Sequence, residues 1–229
     1  MYRKFLNARS PLRLLEKGLH GGLGAGNIGV VLAGPGVGKT SFLVGVAVDE
    51  LLRSGRVLHV SLAHTVPHVR AHYDTVFDEL ASSNHLEDEG LIHAEIDRKR
   101  SIRVYPPNTL TPKKLRRAVE LETEADSKPS LVILEGLDIE TLSRADVEDL
   151  KALAVELGAE MWLEAASASE RDIAIPPAVD ALGSLVSVIL ALEPRRNAVR
   201  LRALKDHDNP DVKDLHVALD PRTLLLVRG

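Results

Sequence analysis

Gly34, Pro35, Gly36, Val37, Gly38, Lys39, Thr40 and Ser41 follow one another inside the segment NIGVVLAGPGVGKTSFL, residues 27–43, and their types suit one kind of chemistry. Glycines let a backbone turn so tightly that successive N–H groups point inward, where they can cradle the oxygens of a polyphosphate. A helix beginning at about Lys39 adds its positive end to the same spot. Lys39 then reaches the β- and γ-phosphates as a point charge, and the Thr40 hydroxyl completes a Mg²⁺ shell together with water and phosphate oxygens. Ser41 follows as a helical neighbour. The spacing from Ala33 to Lys39 and Thr40 is that of a phosphate-binding loop, with alanine where the strict pattern has its first glycine. A glycine-lysine-threonine trio between a strand and a helix seldom arises for packing alone.

Such a loop needs an acid at the end of a nearby strand to hold the water shell of the metal, and a further group to orient or deprotonate the attacking water. Glu135, directly after the apolar run Leu131-Val132-Ile133-Leu134, stands where aspartate is usual, so its longer side chain must retract or shift the metal. Asp138 is the alternative acid, and a plain helix-capping role for Glu135 is the competing reading.

The elements that must position these groups are legible from apolar periodicity. A strand (Ile28, Val30, Val31, Leu32), the loop, a helix from Ser41 to Arg53 stopping at Ser54-Gly55, and a second strand from Arg56 to Leu62 make a βαβ unit. Units of this kind close right-handed and bind ligands beyond the carboxyl ends of their strands. Ahead of them, Leu12, Leu15 and Leu19 can share one buried face of a short helix within residues 11–26. After them come a helix from Thr65-Val66-Pro67 onward, with Val69, Tyr73, Val76, Phe77 and Leu80 at helical spacing, and a strand at Ile102–Tyr105. A helix from Thr111-Pro112 to about Glu124, a strand at Pro129–Leu134, a helix from Ser143 to Leu157 and a strand at Glu160–Ala165 continue the alternation. Residues 82–100 are polar and charged and read as a mobile surface excursion, and residues 167–177 as a loop. Closely spaced strands at 185–192, 198–204, 215–219 and 223–227 predict antiparallel additions at one edge of a mostly parallel, twisted sheet flanked by helices.

The chain has 229 residues, 45% of them hydrophobic, which suits one α/β domain over 1–229 with a lead-in at 1–26. Its net charge of −4 provides no global field toward nucleic acid or anionic membrane. No cysteine is present, which excludes disulfides, thiolate metal sites and a cysteine nucleophile. With no run of about 18 apolar residues and no apolar leader core, a soluble, cytoplasmic protein is expected. Aromatics are only 3%, so a base-stacking surface is not evident.

Taken in order, GLHGGLGAGNIGVVLAG, GPGVGKTS, VLHVSLAH before a T-x-P helix start, LVILEGLD, WLEAAS, and LVSVILAL with RLRALKDHDNP resemble the RecA-like P-loop ATPases, most closely the KaiC-like branch. The resemblance covers nearly the whole chain, and its phosphate loop is the specific part. It implies an ATP-binding RecA-like core that can assemble into rings or filaments with nucleotide between subunits. By it, Lys39 and Thr40 match the phosphate and Mg²⁺ positions, and Glu135 the metal-side acid. The family's water-activating glutamates at the end of the second strand have no counterpart in Ser61-Leu62-Ala63-His64. His64 is then a weak candidate base, and slow hydrolysis is expected. The family's lysine-x-arginine pair, offered to a neighbouring subunit's γ-phosphate, is matched by Lys205-Asp206-His207, with histidine replacing arginine. Glu164 falls near the family's sensor strand, in either an ion-pair or a catalytic role.

Three functions compete. The first is an ATP-binding, weakly hydrolysing regulatory or assembly factor, with a homo-oligomer or another protein as partner. The second is a DNA-dependent ATPase, for which the basic clusters Arg98-Lys99-Arg100, Lys113-Lys114 with Arg116-Arg117, and Arg195-Arg196 with Arg200 and Arg202 would touch phosphates. The third is a scaffold with a non-hydrolysing nucleotide site. The absent carboxylate at Ala63-His64 favours the first. His68 and His72, four apart on a helix with His64 one turn earlier, raise a metal reading, against which solvated histidines are the default.

Overall fold

Central strands that are buried along their whole length, with successive residues facing opposite apolar layers, organise the fold. In Ile28–Ala33 (β1), Ile28, Val30 and Leu32 pack into one apolar layer while Val31 and Ala33 pack into the other. Both faces of the sheet are therefore covered, as β-rich apolar runs in parallel sheets require. The computed structural model describes residues 3–167, 169, 172–212 and 214–229. Ala168, Glu170 and Arg171 of the loop expected at 167–177 lie outside those residues.

The sheet has nine strands in the order β3-β2-β4-β5-β1-β6-β7-β8-β9. Here β2 is Val57–Ser61, β3 Arg100–Val104, β4 Leu131–Asp138, β5 Glu160–Ala166, β6 Val188–Pro194, β7 Val199–Asp206, β8 Asp214–Leu219 and β9 Leu226–Arg228. Pairings from β3 across to β6 are parallel, and those from β6 to β9 are antiparallel. The expected architecture, a mostly parallel sheet with an antiparallel C-terminal edge, is the one observed.

Helices α1 (Arg3–Arg9), α2 (Leu12–Gly18), α3 (Lys39–Leu52), α4 (Val66–Asn84) and α5 (Glu89–Lys99) cover one face, and α6 (Pro112–Glu124), α7 (Arg144–Leu157) and α8 (Pro177–Asp180) the other. Leu12, Leu15 and Leu19 are buried together as their spacing requires. Local signals set the helix ends. Ser143 and Asp146 form a reciprocal capping box at the start of α7, and Gly158 ends it in the left-handed conformation. Thr111 accepts from the Lys114 N–H at the start of α6.

Residues 82–100 differ from the sequence reading. They hold the end of α4 and all of α5, whose Ile92 and Ile96, one helical turn apart, are buried against the α3 side of the sheet. Arg3 anchors this region by donating to Glu95 at 2.6 Å. Strand β4 also runs further than expected, because Glu135 to Asp138 continue it past the apolar run.

Candidate functional site

The loop between β1 and α3 is built as its glycines demand. Gly38 has φ +118 and serves as the N-cap of α3, and no side chain among the described residues caps that helix. That conformation requires glycine, and a Cβ on Gly38, 2.6 Å from Leu219 Cδ2, would in addition displace the end of the leucine side chain. The first N–H groups of α3 thus face the loop with no protein acceptor from a cap, the arrangement that suits an anion. Pro35 and Gly36 are exposed at the tip, while Val37, Lys39 and Thr40 are half-buried. Lys39 Nζ donates to Ala33 O at 3.1 Å, folded back onto its own loop. Ser41, the next residue of the helix, is buried.

Four polar side chains extend the α3-side apolar layer at the carboxyl ends of three strands. Strand period two puts His59 and Ser61 on the face of Val57, Glu135 on the face of Leu131 and Ile133, and Glu164 on the face of Trp162. Trp162 packs edge-on to Phe42 of α3, with ring centroids 5.6 Å apart. Glu164, two residues on, therefore lies toward the first turn of α3. All four are buried: Glu135 is 1% exposed and Glu164 9%.

Glu135 is tightly held. Thr40 Oγ1 donates to its Oε1 at 2.8 Å, and His59 Nε2 lies 3.3 Å from its Oε2. Since that oxygen accepts, the His59 proton sits on Nε2 and its Nδ1 accepts from the Tyr73 hydroxyl at 3.0 Å. Burial pushes the Tyr73 phenol well above its ordinary range, which keeps it a donor. Arg100 stacks over the Tyr73 ring at 4.5 Å. Burial alone would raise the pKa of Glu135, but donation from His59, Ser61 and Thr40 outweighs it and brings the carboxylate to about 2.

Glu164 has the opposite environment. Burial raises its pKa, Lys39 opposes and Glu135 adds to the rise, leaving it at about 7. The Gly136 N–H donates to the carboxyl, and Glu164 Oε1 has no hydrogen-bond partner among the described residues. A register shift of β4 against β5 between Leu134 and Asp138 sets Asp138 beside Glu164. Gly136 turns within that shift at φ +72, where a Cβ would come 2.9 Å from the Ala63 backbone nitrogen.

The other expected residues divide. His64 is brought in: its Nε2 lies 3.7 Å from Glu135 Oε1, and its backbone N–H donates to Ser61 Oγ. Asp138 instead accepts from the Glu140 N–H and caps the short 3₁₀ turn Ile139–Thr141. Lys205 pairs in register with Ile189 near the amino ends of the parallel strands, and its Nζ donates to Gly183 O at 2.6 Å. It does not approach its own chain's loop. His64, His68 and His72 cluster, with ring centroids 4.2 Å apart in a tilted contact for the first pair and 4.9 Å apart in an edge-on contact for the second. Burial first, then the adjacent His68, lowers the pKa of His72.

His59 and Tyr73 join this cluster although no sequence motif announces them. The available signal was parity, because a histidine two residues before Ser61 shares its face. The basic clusters are largely spoken for. Lys99 pairs with Glu95, Arg100 with Asp97, Arg116 with Glu156, Arg117 with Glu120 and Glu124, and Arg195 and Arg202 with the buried Glu193. A cleft lined by Glu16, Glu50, Arg53, Glu160 and Trp162 opens at the opposite, amino ends of the strands. No helix among the described residues is long and apolar enough to cross a membrane. No protein-family model matches the chain, and no curated protein matches it.

Proposed function

We propose that this chain is a RecA-like, KaiC-like protein that binds ATP with Mg²⁺ at residues 34–41, hydrolyses it slowly and uses the bound nucleotide as a regulatory or assembly switch. The observation that carries the reading is the 2.8 Å bond from Thr40 Oγ1 to the ionised, buried Glu135, beside Lys39 and an uncapped helix start. The mostly parallel sheet with its antiparallel edge is compatible with that fold family. The hydroxyl of Thr40 and the carboxylate of Glu135 are hard oxygen donors of the kind Mg²⁺ takes. They are the residues that would hold the ion, which would supply positive charge at the phosphates. Lys39 binds phosphate oxygens once it leaves the Ala33 and Gly34 carbonyls.

The lack of a carboxylate at Ala63-His64 supports slow turnover. The position of Lys205, remote from its own loop, fits a charge offered to a neighbouring copy, with nucleotide between subunits. Pairing of the basic clusters with acids disfavours DNA as the partner. Calorimetric titration with ATP and Mg²⁺, beside Lys39→Ala and a turnover assay with and without single-stranded DNA, tests the reading. Binding that depends on Lys39, with slow turnover indifferent to DNA, is expected. Absence of binding overturns it, and strong stimulation by DNA replaces it with the recombination reading.

A further inference from the structure

Hydrolysis at this site requires a group to accept a proton, and the position at the end of β2 has none suited to it. Glu135 is engaged by Thr40, His59 and Ser61 and is held fully ionised, which makes it a poor proton acceptor. Asp138 caps a turn, and His64 aims Nε2 at Glu135. Glu164 is different. Its carboxyl is 9% exposed, and its Oε1 is without a partner among the described residues. It stands on the α3 face of β5, in register with Val31 of the loop-bearing strand on one side and Asp138 of the acid-bearing strand on the other. A buried, unpaired carboxyl oxygen is costly to the fold. Burying one beside the Lys39 ammonium marks a place prepared for chemistry rather than packing.

We propose that Glu164 is the catalytic residue that takes the proton of the attacking water, replacing the carboxylate absent at Ala63-His64. The inference rests on the nucleotide-hydrolysing reading above. In the step, the water oxygen bonds to the γ-phosphorus as the bond from that phosphorus to the β–γ bridging oxygen breaks. The bridging oxygen leaves with the electron pair on the nucleoside diphosphate. One water proton passes to Glu164 Oε1 and returns to solvent when phosphate departs. The group's proton affinity, raised by burial, suits a base that works near neutrality.

Glu164→Gln, which keeps the volume, and Glu164→Ala are compared with the unaltered chain for Mg-ATP affinity and for single-turnover hydrolysis, with and without added formate. Affinity changed by no more than a few-fold, turnover lowered by about 10²-fold or more, and formate rescue of the alanine variant but not of the glutamine variant are expected. A merely structural role would not produce that rescue. Turnover of Glu164→Gln equal to that of the unaltered chain overturns the proposal. Lys39-dependent ATP binding with no turnover in the unaltered chain also overturns it and leaves the binding reading intact. Failure of the unaltered chain to bind ATP removes both. If the alanine variant does not fold, the glutamine variant alone decides.

Discussion

Replacing Glu164 with glutamine isolates the cost of burying one carboxyl. In the folded chain its pKa stands at about 7, against an ordinary 4.5. A folded-state value raised in this way means that the native protein binds the proton more tightly than the unfolded chain does. The stabilisation is complete below about 4.5 and is lost as pH rises through about 7. At about 1.4 kcal/mol for each tenfold change in proton affinity, that separation corresponds to about 3 kcal/mol between pH 4.5 and 8. The glutamine side chain does not titrate, so the stability difference, variant minus unaltered chain, should grow by about that amount from acid to mild alkali. For a chain of this size it appears as a gain of roughly 6–12 °C in the variant's relative Tm. Thermal and urea unfolding in EDTA, without nucleotide, at pH 5, 6, 7 and 8 measure it. A difference that stays constant across this range would refute the raised proton affinity of Glu164 in the folded chain.

Thr40→Val removes the hydroxyl that donates to Glu135 Oε1; Mg-dependent nucleotide binding should disappear while urea unfolding shows a loss of about 1–3 kcal/mol from the carboxylate left short of a donor. His59→Phe leaves Glu135 Oε2 and the Tyr73 hydroxyl without their partner, so the carboxylate pKa should rise. The stability that Glu135 contributes above about pH 4.5, and loses as pH falls toward about 2, should shrink in acid titrations. An unaltered acid limb would show that His59 does not hold Glu135. Gly136→Ala places a Cβ 2.9 Å from the Ala63 nitrogen at φ +72; strain and crowding together should cost about 2–4 kcal/mol, and unfolding within about 0.5 kcal/mol of the unaltered chain would contradict the fold at this point.

Local signals and distant partners were not equally legible in the sequence. The loop of residues 34–38, the start of α3 and the acid at Glu135 are readable because each depends on residues within one or two turns. Positive φ, a lysine opening a helix and an apolar run ending in a carboxylate all leave local marks. Residues 82–100 show the limit. Only Ile92 and Ile96 of α5 face the core there, Leu91 is 73% exposed, and Asp88 enters α5 in the left-handed conformation without a side-chain cap. A helix anchored at two apolar positions and by ion pairs looks polar all round in composition, because tertiary contacts rather than periodicity hold it.

The role of His59 depends on partners 14 and 76 residues away, and no local spacing announces them. Parity carries part of what spacing cannot. His59 with Ser61, Leu131 with Glu135, and Trp162 with Glu164 are each separated by an even number of residues, so each pair shares a face of its strand. Parallel pairing then sets the carboxyl ends side by side, Ser61 against Glu135 and Asp138 against Glu164. What parity cannot supply is the register shift between Leu134 and Asp138. Without that shift the residue of β4 level with Glu164 would be Glu135, and two buried carboxylates would meet directly, each raising the other's pKa. The shift separates them in role: Glu135 turns to Thr40 and His59 and stays ionised, whereas Glu164 keeps an unpaired oxygen and a high proton affinity. Two acids on neighbouring strands are thus divided, by one local irregularity of the backbone, into a hydrogen-bonded anion and a carboxyl of raised proton affinity.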